Sequence, residues 1–596
     1  MRSNTSDLPG TWSATWRSLR FAYRAEPRLL LVSLALNIGS WIPDALGALW
    51  LKFLSEGVTQ GRSTLVAVAA AGLAASGAAS WTLRVAGERI HFLFREKLVI
   101  AIEAHVARLQ GEVVTIEHHE RPELLDRLQV LKDHAFRLDH VYGAMFATAG
   151  SIARVAITVA LLVSVHPALA VLAAFAVPTV LTSSWRARVE RESEEHAAPF
   201  SRLAKHLFDL GTMAGSAKET RVTGTGALLV ERRRRAWDGW FAIVGRAQWR
   251  SGLWHAAAWT LFGAAYVGAI VFTASVIGGS AGDVLLVLAA GANLSRYLAL
   301  AAGQAGFMTW CLDACKRLCW LEDYASARIE HATGVAPERI ERAIRLEGVS
   351  FAYPGTEKLV LRDVDLTLPV GSVVAVVGEN GAGKTTLVKL LCKFYEPTSG
   401  RILIDDADLS TIASLDWRSR TAGAFQDFMR YEFHAKTAIG LGELPRIDDL
   451  AALETAVERG GASDVVARLP QGLETQLGPQ WADGVELSWG QWQKLALSRG
   501  FMRDEPLLLV LDEPTAALDA ETEHDLFERF AAQSRASSAR GRITVLVSHR
   551  FSTVRMADLI VVLDGATVVE CGSHAELIAR NGLYAELYGI QARAYR

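Results

Sequence analysis

Cysteine is scarce in this chain. Five occur in 596 residues, an odd number with no regular framework of spacing, which excludes a small secreted fold stapled by disulfides and fits a reducing compartment. Charge is sparse as well: 21% of residues are charged against 51% hydrophobic, a balance that excludes a disordered chain. No sign of charge dominates. Lys plus Arg number 62 and Asp plus Glu 64, so the chain is not built to coat nucleic acid. The length excludes a single core, since domains run to roughly 100–200 residues. The N-terminal 28 residues lack a small-residue cleavage site after an apolar core and read as an amphipathic lead-in helix, not a signal peptide.

What the chain does have is an apolar surplus before residue 313. Between Arg28 and Lys52 lie 23 residues with one charge, Asp44, and between Arg62 and Arg84 lie 21 with none. Each is long enough to cross a hydrocarbon core of roughly 30 Å at about 1.5 Å per residue. Val155 to Trp185 is free of formal charge, broken at His166-Pro167, and the apolar pattern reaches back to Val141 past Arg154. Ser251 to Gly282 is uncharged, and after Asp283 a further stretch to Leu312 carries only Arg296. These runs predict six membrane helices, at about 29–51, 63–83, 141–165, 168–185, 251–277 and 284–310, within a membrane domain over residues 1–325. Four of these runs exceed ordinary core helices in length, which weighs heavily against six buried helices of a soluble protein.

The connections alternate in length. Short turns join the spans near 52–63, 166–167 and 278–283, whereas 84–140 and 186–250 are long, charged and helical in composition. Arg84, Arg89, Arg95 and Lys97 crowd one, and Arg186, Arg188, Arg191 and the run Arg232 to Arg235 the other. With Arg17, Arg20, Arg24 and Arg28 ahead of the first span, the positive-inside rule puts both termini and both long loops in the cytoplasm.

A polar linker at 326–340 leads into a globular domain at 341–596. Ser372 to Val377 is a β-branched run that feeds into Gly378-Glu379-Asn380-Gly381-Ala382-Gly383-Lys384-Thr385-Thr386, followed by helical Leu387 to Leu391. This is a phosphate-binding loop in its strand–loop–helix setting. Backbone N–H groups close around phosphate oxygens, Lys384 reaches the β and γ phosphates of ATP, and the Thr385 hydroxyl is placed to ligate Mg²⁺. A second apolar run, Leu507 to Leu511, ends in Asp512-Glu513-Pro514. An acid pair there sets one carboxylate toward Mg²⁺ and the next toward a water, with Asp512 the metal residue and Glu513 the general base. Ile543 to Val547 is a further strand ending in Ser548-His549, at the strand end where α/β sites lie.

In these motifs, and in the order of its two halves, the chain resembles an ATP-binding cassette (ABC) half-transporter of the exporter type: six membrane helices fused to an α/β P-loop nucleotide-binding domain. The resemblance covers essentially the whole chain. It implies that Tyr353 stacks on adenine, that Gln426 senses Mg²⁺ and couples to the membrane domain, and that Leu487-Ser488-Trp489-Gly490-Gln491 stands in the place of the signature. It further implies that Asp519, in Ala517-Leu-Asp519, belongs to the D-loop and that His549 contacts the γ-phosphate. Two copies would face head to tail, each ATP held between the phosphate loop of one and the signature of the other. A full set of Lys384, Gln426, Ser488, Glu513 and His549 favours a homodimer, with a heterodimer left open. The function implied is ATP-driven export across the cytoplasmic membrane by a multi-pass protein in the lipid bilayer. An ATP-gated channel or regulator, or an importer on the same fold, stays open as an alternative.

The chain departs from the family pattern at Trp489, where glycine is usual. Its indole either meets the partner at the interface or points away from nucleotide. The longer segment Thr475 to Gly484 and the stretch Glu120 to Arg127 are similar to exporters of lantibiotics and lasso peptides, so a peptide or amphipathic natural product is the expected cargo. Coupling helices are expected at that stretch and near Ala217 to Arg221. No peptidase domain is expected before the first span, so another protein would remove the leader of a peptide cargo.

Within the spans, Asp44 and Arg296 lie at similar depth and are expected to pair, as a structural lock or as part of the cargo cavity. Arg154 is expected in a cytoplasmic extension of its helix. Cys311, Cys315 and Cys319 recur on one helical stripe and read as small apolar packing ahead of metal or redox sensing. Trp254, Trp259 and Trp310 read as interfacial anchors.

Overall fold

The computed structural model describes residues 8–121, 123–125, 128, 131, 136–514 and 541–594. It divides into two units, one of residues up to 110 with 126–325, the other of 111–125 with 326–596.

The first unit is helical. After α1 (Thr11–Ala25) come α2 (Pro27–Thr59), α3 (Ser63–Glu112), a four-residue α4 (Glu117–Glu120) that belongs to the second unit, and α5 (Phe136–Val165). Then follow α6 (Val171–Thr212), α7 (Ala214–Thr223), α8 (Gly226–Val271) and α9 (Ala281–Ser326). Six of these are long and apolar enough to cross a membrane, and no span is more than 33% buried over its most apolar stretch. That leaves wide apolar surfaces suited to lipid.

Several of these helices overrun the expected spans. Charged residues end a membrane span without ending the helix, because water solvates the side chains while the backbone ladder continues and i,i+4 ion pairs support it. Arg186–Glu190 and Arg235–Glu231 are two such pairs, at 2.8 and 3.1 Å. The expected loops 84–140 and 186–250 are therefore largely helix. Cys311, Cys315 and Cys319 are all buried on α9, and no metal-binding group of side chains occurs among the described residues.

The second unit carries ten described strands. They are β1 (Ala343–Ala352), β2 (Leu359–Pro369), β3 (Val373–Gly378), β4 (Ser399–Ile404) and β5 (Ala407–Asp408), then β6 (Thr421–Ala424), β7 (Leu508–Asp512), β8 (Ile543–Val547), β9 (Leu559–Asp564) and β10 (Thr567–Gly572). One sheet is antiparallel in the order β2-β1-β4-β5, and the other runs β10-β9-β3-β8-β7-β6. From β9 through β6 its strands are parallel. β7 and β8 are buried at every position, which accounts for their unbroken apolar runs: a parallel strand is covered on both faces.

Two boundaries differ from the sequence reading. Residues 326–340, expected as a linker, are built into the nucleotide unit. The Glu330 carboxylate accepts from Lys393 Nζ at 2.8 Å and from the Ser414 amide and hydroxyl, and Ala336 N–H donates to Asp416. The polar composition that suggested a free linker serves this network. Likewise 111–125, expected inside the membrane domain, clusters with the nucleotide unit. Glu120 accepts from Lys389 Nζ at 2.6 Å and from the Tyr395 hydroxyl at 2.7 Å, and Arg418 donates to Val114 O at 2.7 Å. Of the stretch Glu120 to Arg127, residues 122, 126 and 127 lie outside the described residues. The stretch Ala217 to Arg221 lies within α7.

Candidate functional site

The parallel sheet explains how four distant segments meet. β3, β8, β7 and β6 are consecutive neighbours, and the residues that follow their carboxyl ends are the phosphate loop, Ser548-His549, Asp512-Glu513 and Gln426. In open α/β sheets this edge is where ligands bind.

After β3 the chain turns through Gly378, Gly381 and Gly383, with φ of +152°, +86° and +104°, into helix α10 (Lys384–Leu391). A Cβ at Gly378 would strike Leu563 O, and one at Gly383 would lie 2.8 Å from Val360 O, so glycine is required by both conformation and space. Glu379 to Ala382 of the loop line an open cleft of about 640 Å³ with Lys358 and Arg362. Lys384 is buried, and its ammonium donates to Gly378 O and Glu379 O, both at 2.8 Å. Burial lowers the pKa of this ammonium, against the pull of Glu513 and Asp512. An amine held only by carbonyls has exchangeable partners, and phosphate oxygens are stronger ones.

Asp512 is buried at the end of β7. Burial pushes its carboxyl up to about 6, helped by Glu513 and Asp427 and opposed by a hydrogen bond from Thr385 and by the Lys384 charge. Its Oδ1 is buried without a hydrogen-bond partner.

Glu513 has φ +46°, a left-handed conformation that costs a non-glycine residue energy and that clusters at functional sites. Its amide donates to Val547 O at 3.0 Å. Its side chain is held from two sides: Gln426 Nε2 donates to Oε2 at 2.8 Å, and His549 Nδ1 lies 3.4 Å from Oε1. Lys384, Thr385, Gln426, Asp512, Glu513 and His549 thus gather at one sheet edge.

Tyr353 follows β1 and is half-buried. Its hydroxyl lies 3.0 Å from Thr386 Oγ1, and its ring stands edge to face with Phe351 and Tyr395. Lys389 Nζ sits 5.3 Å from the ring centroid; the sequence reading missed this lysine because it carries no motif.

The signature residues stand apart. Ser488 caps helix α11 (Trp489–Gly500) in a capping box: its amide donates to Gln491 Oε1 at 2.8 Å, and its Oγ accepts from Gln491 N–H. Among the described residues the hydrogen bonds of Ser488 and Gln491 stay within this cap and do not reach the phosphate loop. Asp519 lies outside the described residues.

In the membrane unit, Asp44 and Arg296 are 3.8 Å apart, and two further arginines join them. Arg154 Nε is 3.3 Å from Asp44 Oδ2 and Arg84 is 3.9 Å from Oδ1, while the Tyr297 hydroxyl donates to Oδ2 at 2.9 Å. Arg154, expected in a cytoplasmic extension of its helix, thus pairs with Asp44. The helix face that carries Arg154 turns it toward Asp44 on α2, a pairing that a one-dimensional count of charges does not register. One carboxylate faces three guanidinium groups.

The family model for ABC transporter matches residues 361–516. The chain is similar to the ATP-dependent lipid A-core flippase of Chromohalobacter salexigens, 40% identical over 43% of this chain and 42% of that protein. Flippases of the same description in Cupriavidus metallidurans (41% identical, 44% of this chain, 43% of that one) and Alkalilimnicola ehrlichii (37%, 50% and 47%) are similar too. The chain thus spans less than half the length of these curated relatives. A solved structure of a bacterial Atm1-family ABC exporter with ATP bound shares the fold, with TM-score 0.72 over 97% of this chain and 98% of that one at 24% identity. Residues 361–516 therefore carry an ABC transporter domain, and the chain as a whole has the fold of an ABC exporter half, six membrane-length helices joined to one nucleotide-binding domain.

Proposed function

We propose that this chain is one half of an ATP-driven exporter of the cytoplasmic membrane, acting as a homodimer with both termini in the cytoplasm, and that its cargo is a lipid-like amphiphile with an anionic head group. The observation that carries the ATPase reading is the Glu513 carboxylate, held by Gln426 and His549 beside the phosphate loop.

In this reading the Lys384 ammonium leaves its two carbonyls for the β and γ phosphates of ATP, and the amides of Gly381 to Thr386 cradle their oxygens. Glu513 accepts the proton of the attacking water, Gln426 keeps that carboxylate oriented, and His549 meets the γ-phosphate. The donors present suit Mg²⁺: the orphaned Asp512 Oδ1 and the Thr385 hydroxyl are hard oxygen ligands side by side. Mg²⁺ bound there would neutralise phosphate charge. Ser488 and Gly490 of a second copy would close the nucleotide from the other side, with Tyr353 against adenine. Closure would pass through the segments at 111–125 and 214–223 to the membrane helices, and hydrolysis would reset them.

The peptide cargo expected from the sequence gives way to a lipid for two reasons. The relatives above are flippases of lipid A-core, and three arginines around the one Asp44 carboxylate leave an excess of positive charge, which an anionic head group would balance. The decisive test is ATP-dependent accumulation of a labelled anionic lipid in inside-out vesicles. Glu513→Gln should abolish it; accumulation that survives that change removes the mechanism.

A further inference from the structure

The loop that follows Gln426 is fastened to the signature helix at two points. Near the start of α11, the Trp489 indole lies 4.9 Å from the Phe428 ring, and the Arg430 guanidinium sits over it at 4.5 Å. Toward the other end of the helix, Arg499 donates to Met429 O from both terminal nitrogens at 3.3 Å, and its guanidinium lies 4.8 Å from the Tyr431 ring. Residues 428, 429, 430 and 431 are thus each held by α11. Arg499 is half-buried, and its contacts with Met429 and Tyr431 do not involve residue 489. Trp489 adds the second fastening, at the end of the helix that carries Ser488 and Gly490. A glycine there offers neither a face for Arg430 nor an edge for Phe428. Trp489 is 48% exposed, so its side chain lies at the surface of the unit with these two partners against it.

We propose that Trp489 is a positioning residue that ties the start of the signature helix to loop 426–431, so that Gln426, with its hold on Glu513, moves together with Ser488 and Gly490. A rigid connection makes two features that serve different nucleotides, Gln426 at this copy's phosphate loop and Ser488 with Gly490 at that of the second copy, respond as one body. With the tie cut, the loop that carries Gln426 loses its fastening near the start of α11, and the fraction of time that Glu513 is held in line falls. Nucleotide affinity, which the phosphate loop supplies, stays.

The turnover consequence rests on the ATPase reading above; the tie itself does not. Hydrogen–deuterium exchange on the full chain in lipid nanodiscs separates the two. In Trp489→Gly the amides of 427–431 should exchange about 5-fold faster, the loss of one exposed cation–π contact with its stacking partner, while strands β3, β7 and β8 keep wild-type protection. In turnover, kcat should fall about 5-fold with the KM for ATP within 2-fold. Arg430→Ala should do the same, the double variant should fall no further than either single one, and Trp489→Phe should retain most of the rate. Unchanged exchange at 427–431 in Trp489→Gly overturns the tie. Normal turnover alongside faster exchange, or losses that multiply in the double variant, overturns the positioning role.

Discussion

Asp44 in the membrane unit and Asp512 in the nucleotide unit are both withdrawn from bulk water, and their surroundings have opposite sign. Asp44 faces Arg84, Arg154 and Arg296 and accepts from Tyr297. Asp512 lies among Glu513 and Asp427, with one hydroxyl and one lysine in opposition. Each neighbourhood carries more of one charge than it contains of the other, and in the proposed function an anion balances the first and a cation the second. Glu330 is the balanced control. It pairs one to one with Lys393, whose side chain is 3% exposed, and with Ser414, and nothing further is needed. An unbalanced charge cluster marks a site, whereas a balanced one marks architecture.

The sharpest way to break this comparison is at Glu513. Glu513→Gln keeps the shape of the side chain and removes the base, so ATPase activity in lipid should fall by roughly 10²–10⁴-fold, with the melting temperature within a degree or two. A loss below tenfold would place the negative cluster outside catalysis.

At the balanced pair the effect should fall on stability alone. Glu330→Gln strands the buried Lys393 ammonium and should cost about 3 kcal/mol in denaturant unfolding of the nucleotide unit. Burial by itself would raise the Glu330 carboxyl, but Lys393 and Ser414 hold it below its ordinary value of 4.5. The stability that it contributes is therefore complete above 4.5 and lost as pH falls through the lower folded value. A wild-type and variant pair that converge in acid and diverge above pH 5 is the expected pattern; parallel curves would refute it.

Asp512→Asn should do the reverse. Its charge stands uncompensated in the absence of metal, and the rise from 3.8 to about 6 corresponds to about 1–3 kcal/mol. Without Mg²⁺ the variant should melt higher than wild type by that amount, while the further stabilisation that Mg²⁺ with ATP gives the wild type should vanish. A variant that melts lower would show that Asp512 is structural.

The smallest effect is expected in the membrane. Arg154→Gln and Arg296→Gln should each raise the concentration of anionic lipid needed for half-maximal ATPase stimulation about 10-fold, close to 1.4 kcal/mol. Asp44→Asn should leave it equal or lower it. Stimulation unchanged in all three would break the parallel between the two clusters.

Much of the nucleotide site was legible because its chemistry is local in the chain: the turn through Gly378 to Thr386, the acid pair after an apolar run and His549 after another each announce themselves within ten residues. The six spans were legible for the same reason, since a membrane crossing is a continuous stretch. The ends of the helices were not, because charge stops a span and leaves the backbone ladder intact. The pairing of Arg154 with Asp44 was not legible, because the two lie on different helices. Lys389, Phe428 and Arg430 carry no motif and matter only through what they touch.

The sequence by itself determined the two kinds of solvent that this chain must meet, the order of its halves and the loop that cradles phosphate, since hydrophobic length and glycine spacing act over short separations. The tertiary structure decided which charges face one another. That Glu513 stands between Gln426 and His549, that three arginines share one aspartate and that Trp489 reaches Arg430 follow from strand order and helix packing. Those juxtapose residues tens to hundreds of positions apart, and Coulomb and ring contacts depend on distance in space.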